Sequence, residues 1–384
     1  MRIAWILGAG FSAQAGYPLA KEIDARFTDL CDPHALFRLG SSEWMWREHQ
    51  NQTMHSPDGL ANYFLLKELV AAYSAIATRW SYEALYQFAM NLSGGDHALR
   101  DELYGRASVS IRASEFHSEE FPLDPYIDRT QARWNLRDLF NGLISDLLRT
   151  TATEQEISAY YFPALRHCTG QQMTLDIITL NHDLLAENLL GMAGLNYSDG
   201  FTAEGSPIGD RGGRQFPVFT DAFDQTIRLF KIHGSVDLYR FEETIPIDAS
   251  TSQWANRHYY AKPKSHDDRH WPKTQGLGNH NVMTDSQQPD FLTGTDKPAL
   301  IKANEMYRAL YARGQEALNQ ADVLWIIGYG FGDEHVNEMI RISLRTGQVR
   351  EVVEVNKSRW APTEWNSRGL PVSHYKDLSE VPIE

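Results

Sequence analysis

Short apolar runs separated by helical patterns mark both ends of the chain. Residues 3–7 form a continuous apolar run that stops at Gly8, which is typical of a strand buried on both faces of a parallel sheet. Runs at 174–180, 227–232, 323–328 and 351–355 predict four more strands. Apolar positions at helical spacing precede the run at 323 and follow it. The alternation predicts an α/β fold with a doubly wound, mostly parallel, Rossmann-like sheet.

The middle of the chain reads as helical instead. Apolar residues recur at helical spacing over 60–73 and, more strongly, over 136–148, whereas 94–120 is polar and gives no assignment. A further helix is expected over 19–30, after Pro18. We therefore expect residues 1–32 and 170–384 to form the Rossmann-like domain. A mainly helical insertion, residues 33–169, follows its first βα unit.

Residues 250–295 show little periodicity and are rich in His, Asp, Asn, Gly and Pro. Imidazole is a common metal ligand, so His258, His266, His270 and His280 raise the alternative of a metal site. Their spacing matches no known ligand pattern, and the carboxylates lie scattered among them. A solvated loop, acting as a lid over a cleft, is the favoured interpretation, and no metal is predicted.

Composition narrows the function class. The 384 residues include 36 basic and 50 acidic side chains, a net charge of −14, which argues against non-specific binding of nucleic acid over the whole surface. Two cysteines exclude a disulfide framework and a cysteine-built zinc site. No signal-peptide cleavage site follows the first strand, and no apolar run is long enough to cross a bilayer. A cytoplasmic protein is expected.

The turn after the first strand carries the first chemical signal. Residues 8–13 read G-A-G-F-S-A, a relaxed form of the dinucleotide-binding pattern between a strand and a helix. We favour phosphate binding here over a glycine turn without a ligand. A dehydrogenase would place an acidic residue at a second strand end about 20 residues later. Asp29 and Asp32 instead follow a helix, and the sequence contains no P-loop motif.

Five segments, each near the end of a predicted strand, together resemble the sirtuin family. They are G-A-G-F-S at 8–12 continuing to G-Y-P at 16–18, T-L-N-H-D at 179–183, K-I-H-G-S at 231–235, G-Y-G-F-G-D-E-H-V-N at 328–337 and V-N at 355–356. They follow the family's order. The carboxyl edge of such a sheet is where open α/β folds bind ligands. The resemblance covers about residues 1–32 and 170–384.

The resemblance implies that NAD is the substrate and that Asn181 and His233 are catalytic. An asparagine amide suits orienting the ribose hydroxyls or a water, and imidazole suits accepting a proton near neutral pH. The residues expected to bind the dinucleotide are Gly8, Ala9, Gly10, Ser12, Pro18, Asp183, Gly328, Tyr329, Asp333 and Asn356.

One departure from the protein-deacetylating sirtuins narrows the expectation further. Those proteins carry four cysteines for a structural zinc, which two cysteines cannot supply. The chain is more similar to zinc-less prokaryotic antiphage effectors that hydrolyse NAD. That similarity implies an NAD-depleting hydrolase acting as a homo-oligomer or with a partner such as a HerA-like ATPase. A non-hydrolytic NAD or ADP-ribose sensor and an NAD-dependent deacylase remain as alternatives.

Structural roles compete with several of these assignments. Asn181 suits a helix cap, and Asp183 suits the first turn of a helix. Asp333 is expected to be the N-cap of the helix that follows, with a further contact to ribose. His182 is expected to pack or to shape the substrate site.

Overall fold

The computed structural model describes residues 1–39, 43–49, 57–94, 97–114, 129–170, 173–248, 253–264, 268–269, 272–274, 281–284, 288–357, 365 and 367–382. The helices are α1 (Ala9–Ala13), α2 (Ala20–Thr28), α3 (Pro57–Ile76), α4 (Tyr82–Gly94), α5 (His97–Arg112), α6 (Arg129–Leu147), α7 (Glu154–Cys168), α8 (Leu185–Met192), α9 (Lys297–Ala303), α10 (Glu305–Gln320) and α11 (Glu334–Thr346). The strands are β1 (Arg2–Leu7), β2 (Leu36–Leu39), β3 (Glu43–Trp46), β4 (Thr174–Thr179), β5 (Gly200–Thr202), β6 (Ile208–Gly209), β7 (Val218–Ala222), β8 (Ile227–Lys231), β9 (Tyr239–Asp248), β10 (Gln253–Ala261), β11 (Lys273–Thr274), β12 (Asn281–Thr284), β13 (Val323–Ile327), β14 (Glu351–Val355) and β15 (Val372–Tyr375). Among the described helices, none has the length and apolarity to cross a membrane.

A six-stranded sheet forms the centre of the α/β part, in the order β15-β14-β13-β1-β4-β8. Every pairing in it is parallel, which confirms the predicted Rossmann-like fold class. The five predicted strands are all present. The sixth, β15, escaped prediction because its residues are only half-buried and lack a continuous apolar run.

Helix α7 packs against one face of this sheet, although its residues lie within the predicted helical insertion. Tyr161 and Leu165 of α7 share one apolar core with Trp5 and Trp325 of the central strands. The rings of Trp5 and Trp325 lie 6.1 Å apart between centroids. This core takes Ile3, Trp5 and Leu7 from one face of β1, and Ala4 and Ile6 on the other face are buried as well, as the unbroken apolar run predicted.

A second sheet, which the sequence analysis did not predict, is antiparallel with the order β12-β9-β10-β7-β5. The prediction of a loop over 250–295 is therefore wrong at Gln253–Ala261, which forms β10 and pairs with β9 along its length. Polar and charged residues on exposed faces hid the strand period, as at Arg257 and His258. The other three histidines of the segment, at 266, 270 and 280, lie outside the described residues.

The chain divides into two compact units. The α/β unit comprises Met1–Tyr17, Arg149–Ser286 and Pro298–Glu384, and the helical unit comprises Pro18–Leu148 and Gln287–Lys297. The helical unit takes α2 because Ile23 and Phe27 pack in its core, where Phe27 stacks on Phe140 at 5.4 Å. The predicted domains thus differ from the compact units at three segments, 18–32, 149–169 and 287–297.

Candidate active site

Most of the predicted site residues follow strands of the central sheet. Gly8 comes directly after β1 and Gly328 directly after β13, while Asn356 directly follows β14. Asn181 and His233 each come two residues after the ends of the neighbouring strands β4 and β8. Because all these strands are parallel, their carboxyl ends share one edge of the sheet. The structure therefore brings these residues to a single edge.

Two glycine turns contact each other backbone to backbone at this edge. The Gly8 N–H donates to the Ile327 carbonyl at 3.0 Å, and the Gly10 N–H donates to the Gly328 carbonyl at 2.9 Å. Gly328 has φ of +64°, and a Cβ there would lie 2.1 Å from the Phe11 nitrogen. The glycines are thus required for this close approach, whatever ligand the turn binds. In this structure the Gly10 N–H is engaged by protein, while Ala9 is exposed at the edge.

The side chain of Asn181 is oriented by the first turn. Its Nδ2 donates to the Gly8 carbonyl at 3.0 Å and to the Ser12 hydroxyl at 2.9 Å. Both amide hydrogens are thereby used, which leaves Oδ1 as the acceptor that the side chain presents. Ser12 is buried, so its hydroxyl serves this contact inside the protein. The alternative that Asn181 caps a helix is wrong, because the N-cap residue of α8 is Leu184.

Asp183, two residues after Asn181, is almost fully buried. Its Oδ1 accepts from the Leu185 N–H at 3.0 Å at the start of α8, and the Lys231 ammonium donates to its carbonyl oxygen. Burial raises the pKa of the Asp183 carboxyl, while Lys231 and the Ser12 hydroxyl act in the opposite direction. Through these contacts Asp183 stabilises the conformation of residues 181–185 in this structure.

His233 begins the turn after β8, with Gly234 at φ +85°. The paired positions Thr179 and Lys231 fix the register of β4 and β8, so Asn181 and His233 continue at the same level on adjacent strands. Adjacent strands lie roughly 4.8 Å apart. The Val236 N–H also donates to the His182 carbonyl at 2.9 Å, which ties the two segments together. Asn181 and His233 therefore follow adjacent strands at the same edge of the sheet.

His335, near the start of α11, lies beside His233, although it is not among the predicted site residues. Its Nε2 lies 3.0 Å from the Nε2 of His233, and the two ring centroids are 5.2 Å apart. Asp333 joins them: one ligand-type atom from each of the three side chains falls within 4.8 Å of the others. His233 is buried, and the other two side chains are partly exposed. The D-x-H spacing at 333–335 is the sequence feature that could have indicated this cluster.

The turn between β13 and α11 is held by its own side chains. The buried Tyr329 hydroxyl lies 3.0 Å from the Asp333 carbonyl oxygen and 2.9 Å from Oδ1 of Asn337. Asn337 also donates to the Phe331 carbonyl at 3.0 Å. Asp333 is the N-cap residue of α11, as expected, but its side chain makes no capping hydrogen bond. Tyr329 and Asn337 therefore fix where Asp333 and His335 stand.

Two further predicted binding residues are Asn356 and Pro18. Asn356 is buried, and its Nδ2 donates to Oε1 of Glu354 at 3.2 Å. Its backbone N–H donates to the Tyr375 carbonyl at 2.9 Å. Pro18 is the first residue of the helical unit and is partly buried. Its role as a binding residue stays a prediction.

Behind the His233 turn lies a buried group of charges. Lys231 pairs with Glu187 at 2.9 Å, and Lys262 pairs with Asp199 at 2.7 Å. Burial lowers the pKa of the Lys262 ammonium, but nearby carboxylates, Asp237 foremost, raise it well above its usual value. A pocket with room for about one water molecule adjoins these lysines.

Comparison with known families agrees with this geometry. A family model described as a SIR2-like domain matches residues 176–370, just over half of the chain. The match includes Asn181, His233 and the turn at 328–337, and it begins after the first glycine turn. No curated protein sequence matches the chain.

Proposed function

Because the chain belongs to the SIR2-like family, whose members are typically NAD-utilising enzymes, we propose that it is an NAD⁺ glycohydrolase. The reaction would cleave NAD to nicotinamide and ADP-ribose. The observation that carries the proposal is the placement of Asn181 and His233 two residues after the ends of adjacent strands, with the Asn181 amide oriented by Gly8 and Ser12. No metal or second cofactor enters the proposed chemistry.

The chemistry of the bond suits these two groups. Nicotinamide leaves as a neutral ring and takes the electron pair of the glycosidic bond with it, so no acid is needed to protonate it. The ribose carbon becomes oxocarbenium-like and is attacked by water, whose proton passes to a base. Asn181 presents Oδ1 to a ribose hydroxyl or to that water, and the imidazole of His233 accepts the proton.

The glycine turn and the exposed Ala9 at the same edge would receive the pyrophosphate. Helix α1 after it has only five residues, so its dipole contributes little to phosphate binding. We expect the backbone of the turn, rather than a helix dipole, to position the phosphates. Tyr329 and Asp333 would form the wall of the site opposite His233, on the turn before α11.

We further propose that this activity depletes NAD in antiphage defence, in a homo-oligomer or with a partner such as a HerA-like ATPase. Support comes from the segment 328–337, which resembles that of bacterial sirtuin-like proteins, and from a sequence with two cysteines instead of the four that a structural zinc requires. Cys31 belongs to the helical unit and Cys168 to the α/β unit.

The test is incubation of the purified chain with NAD, alone and with its genomic neighbour, with nicotinamide and ADP-ribose measured by chromatography. Asn181→Ala and His233→Ala should abolish product release while the thermal unfolding transition is kept. His258→Ala removes an exposed histidine of β10 and is the matched control, which should retain full activity. Full activity of either site variant would refute the mechanism.

Other outcomes separate the alternatives. Stabilisation by NAD without turnover, about 2.7 kcal/mol at a hundred times the dissociation constant, would indicate a sensor. Nicotinamide released only when an acylated peptide is added would indicate a deacylase. For the defence role, phage infection of cells that carry the active chain should lower cellular NAD, and the Asn181→Ala chain should leave it unchanged.

A further inference from the structure

Two imidazoles and a carboxylate converge beside the catalytic edge. His233 stands on the turn after β8, whereas Asp333 and His335 stand at the start of α11. The three ligand-type atoms lie within 4.8 Å of one another, and the two Nε2 atoms are 3.0 Å apart. We propose that His233, His335 and Asp333 bind a divalent first-row transition-metal ion such as Zn²⁺.

The separation of the two nitrogens suits this use. Zinc–nitrogen bonds are about 2.0–2.1 Å, so two nitrogen ligands of a tetrahedral ion stand about 3.4 Å apart. The observed 3.0 Å requires the two rings to part by only a few tenths of an ångström. Two facing ring nitrogens share a single proton between them, and a metal ion accepts a lone pair from both at once. A bound ion replaces that proton.

The donor set selects the class of ion. Two imidazoles with one carboxylate are a ligand set of zinc and of iron(II) sites, whereas Mg²⁺ and Ca²⁺ prefer oxygen ligands alone. Three protein ligands leave one position open to water, as in catalytic rather than structural zinc sites. Mg²⁺ and Ca²⁺ therefore serve as negative controls.

The surroundings hold the ligands in place. The Tyr329 hydroxyl fixes the backbone of Asp333, and the Tyr311 ring lies 5.8 Å from the His335 ring. The Tyr311 hydroxyl is buried and has no hydrogen-bond partner among the described residues. A polar group without a partner beside two imidazoles is consistent with a site that takes up an ion and its water.

Metal binding would have a consequence that rests on the proposed function. His233 is the proposed proton acceptor, so an ion bound to its Nε2 would occupy the lone pair that this nitrogen uses to accept a proton. NAD hydrolysis should then be inhibited by Zn²⁺, restored by a chelator, and insensitive to Mg²⁺. Metal binding at this site would therefore inhibit the hydrolase reversibly.

The binding itself is tested without NAD. The full chain is stripped with a chelator, and Zn²⁺ binding is measured by competition with a chromophoric chelator. The wild type should bind one equivalent more, or at least about tenfold more tightly, than His335→Gln. His182→Gln is the matched control: its ring lies 6.4 Å from the His233 ring but contributes no atom to the cluster, so binding should be kept.

A second variant guards against misfolding. Asp333→Asn keeps a good N-cap residue for α11 while it removes the charged ligand, so it should fold and bind Zn²⁺ more weakly. Equal stoichiometry and affinity in the wild type, His335→Gln and Asp333→Asn would overturn the inference. Zinc binding without NAD hydrolysis would support the metal site and refute the proposed hydrolase activity. NAD hydrolysis without zinc binding would support the hydrolase activity and refute the metal site.

Discussion

The N–H of Gly10 donates to the carbonyl oxygen of Gly328 at 2.9 Å, so residues distant in sequence hold the first glycine turn against the turn after β13. A side chain on either glycine would push the turns apart, since a Cβ on Gly10 would lie 2.8 Å from the Gly328 Cα. The edge of the sheet that carries the candidate site is therefore assembled by backbone contact between two glycines.

Gly328→Ala should lower the free energy of unfolding by more than about 2 kcal/mol, because alanine must adopt a left-handed φ and also collides with the Phe11 nitrogen. Urea unfolding followed by circular dichroism measures the change. Gly330→Ala, in the same turn but with open space around it, should stay within about 0.5 kcal/mol of the wild type. Equal effects of the two substitutions would contradict the contact.

Asn181→Asp should lower NAD hydrolysis about 100-fold with little loss of stability. A carboxylate cannot donate to the Gly8 carbonyl or hold the Ser12 hydroxyl as the amide does, so the group facing the substrate is misplaced. The rate of nicotinamide release is the measurement. Asn188→Asp on α8 makes the same chemical change at an exposed position and should leave the rate unaltered.

Asp176→Asn should cost about 3 kcal/mol of stability. Asp176 is fully buried in β4, and Arg228 binds both its oxygens at 2.6 and 2.8 Å, with Arg2 at 3.7 Å. Neutralising the carboxylate leaves arginine charge without its partner inside the sheet.

The exposed pair of Arg313 and Asp221 supplies the comparison for that substitution. Asp221→Asn should cost less than about 1 kcal/mol, because solvent screens the pair. Denaturant unfolding measures the free energy of unfolding of both variants. Equal stability of Asp176→Asn and Asp221→Asn would show that the buried pair contributes no additional stability.

Native protein should show one reactive thiol at pH 8. Burial raises the pKa of the Cys168 thiol to about 12, so fewer than about one molecule in a thousand carries the thiolate at that pH. The folded pKa lies above that of the unfolded chain, so this protection is lost only as the pH rises towards 12. Cys31 is exposed and should react, although Asp29 raises its pKa and slows the reaction.

A colorimetric disulfide reagent measures this protection. One equivalent should react in the native wild type, none in native Cys31→Ser, and two in the wild type unfolded in denaturant. Rapid labelling of Cys168 in the native chain would contradict its burial.

Strands and helices with strong patterns were predictable from the sequence. The strand at 351–355 and the helices around 60–73 and 136–148 follow directly from apolar spacing. Prediction failed where burial was partial: β15 and β10 carry polar residues, and their pairing partners lie elsewhere in the chain. Helix α2 was predicted correctly as a helix, but its packing in the helical unit depends on partners such as Phe140, which helical spacing cannot reveal.

The sequence by itself determined five of the six strands of the central sheet and the residues at its carboxyl edge, because a strand buried on both faces and a glycine turn after it leave local patterns. Only the tertiary structure decided that Gly10 meets Gly328, that Ser12 orients Asn181, and that His335 faces His233. These residues are far apart in the chain: 102 positions separate His233 from His335, and 318 separate Gly10 from Gly328. Their formation depends on strand order and register, which no local pattern of side chains encodes.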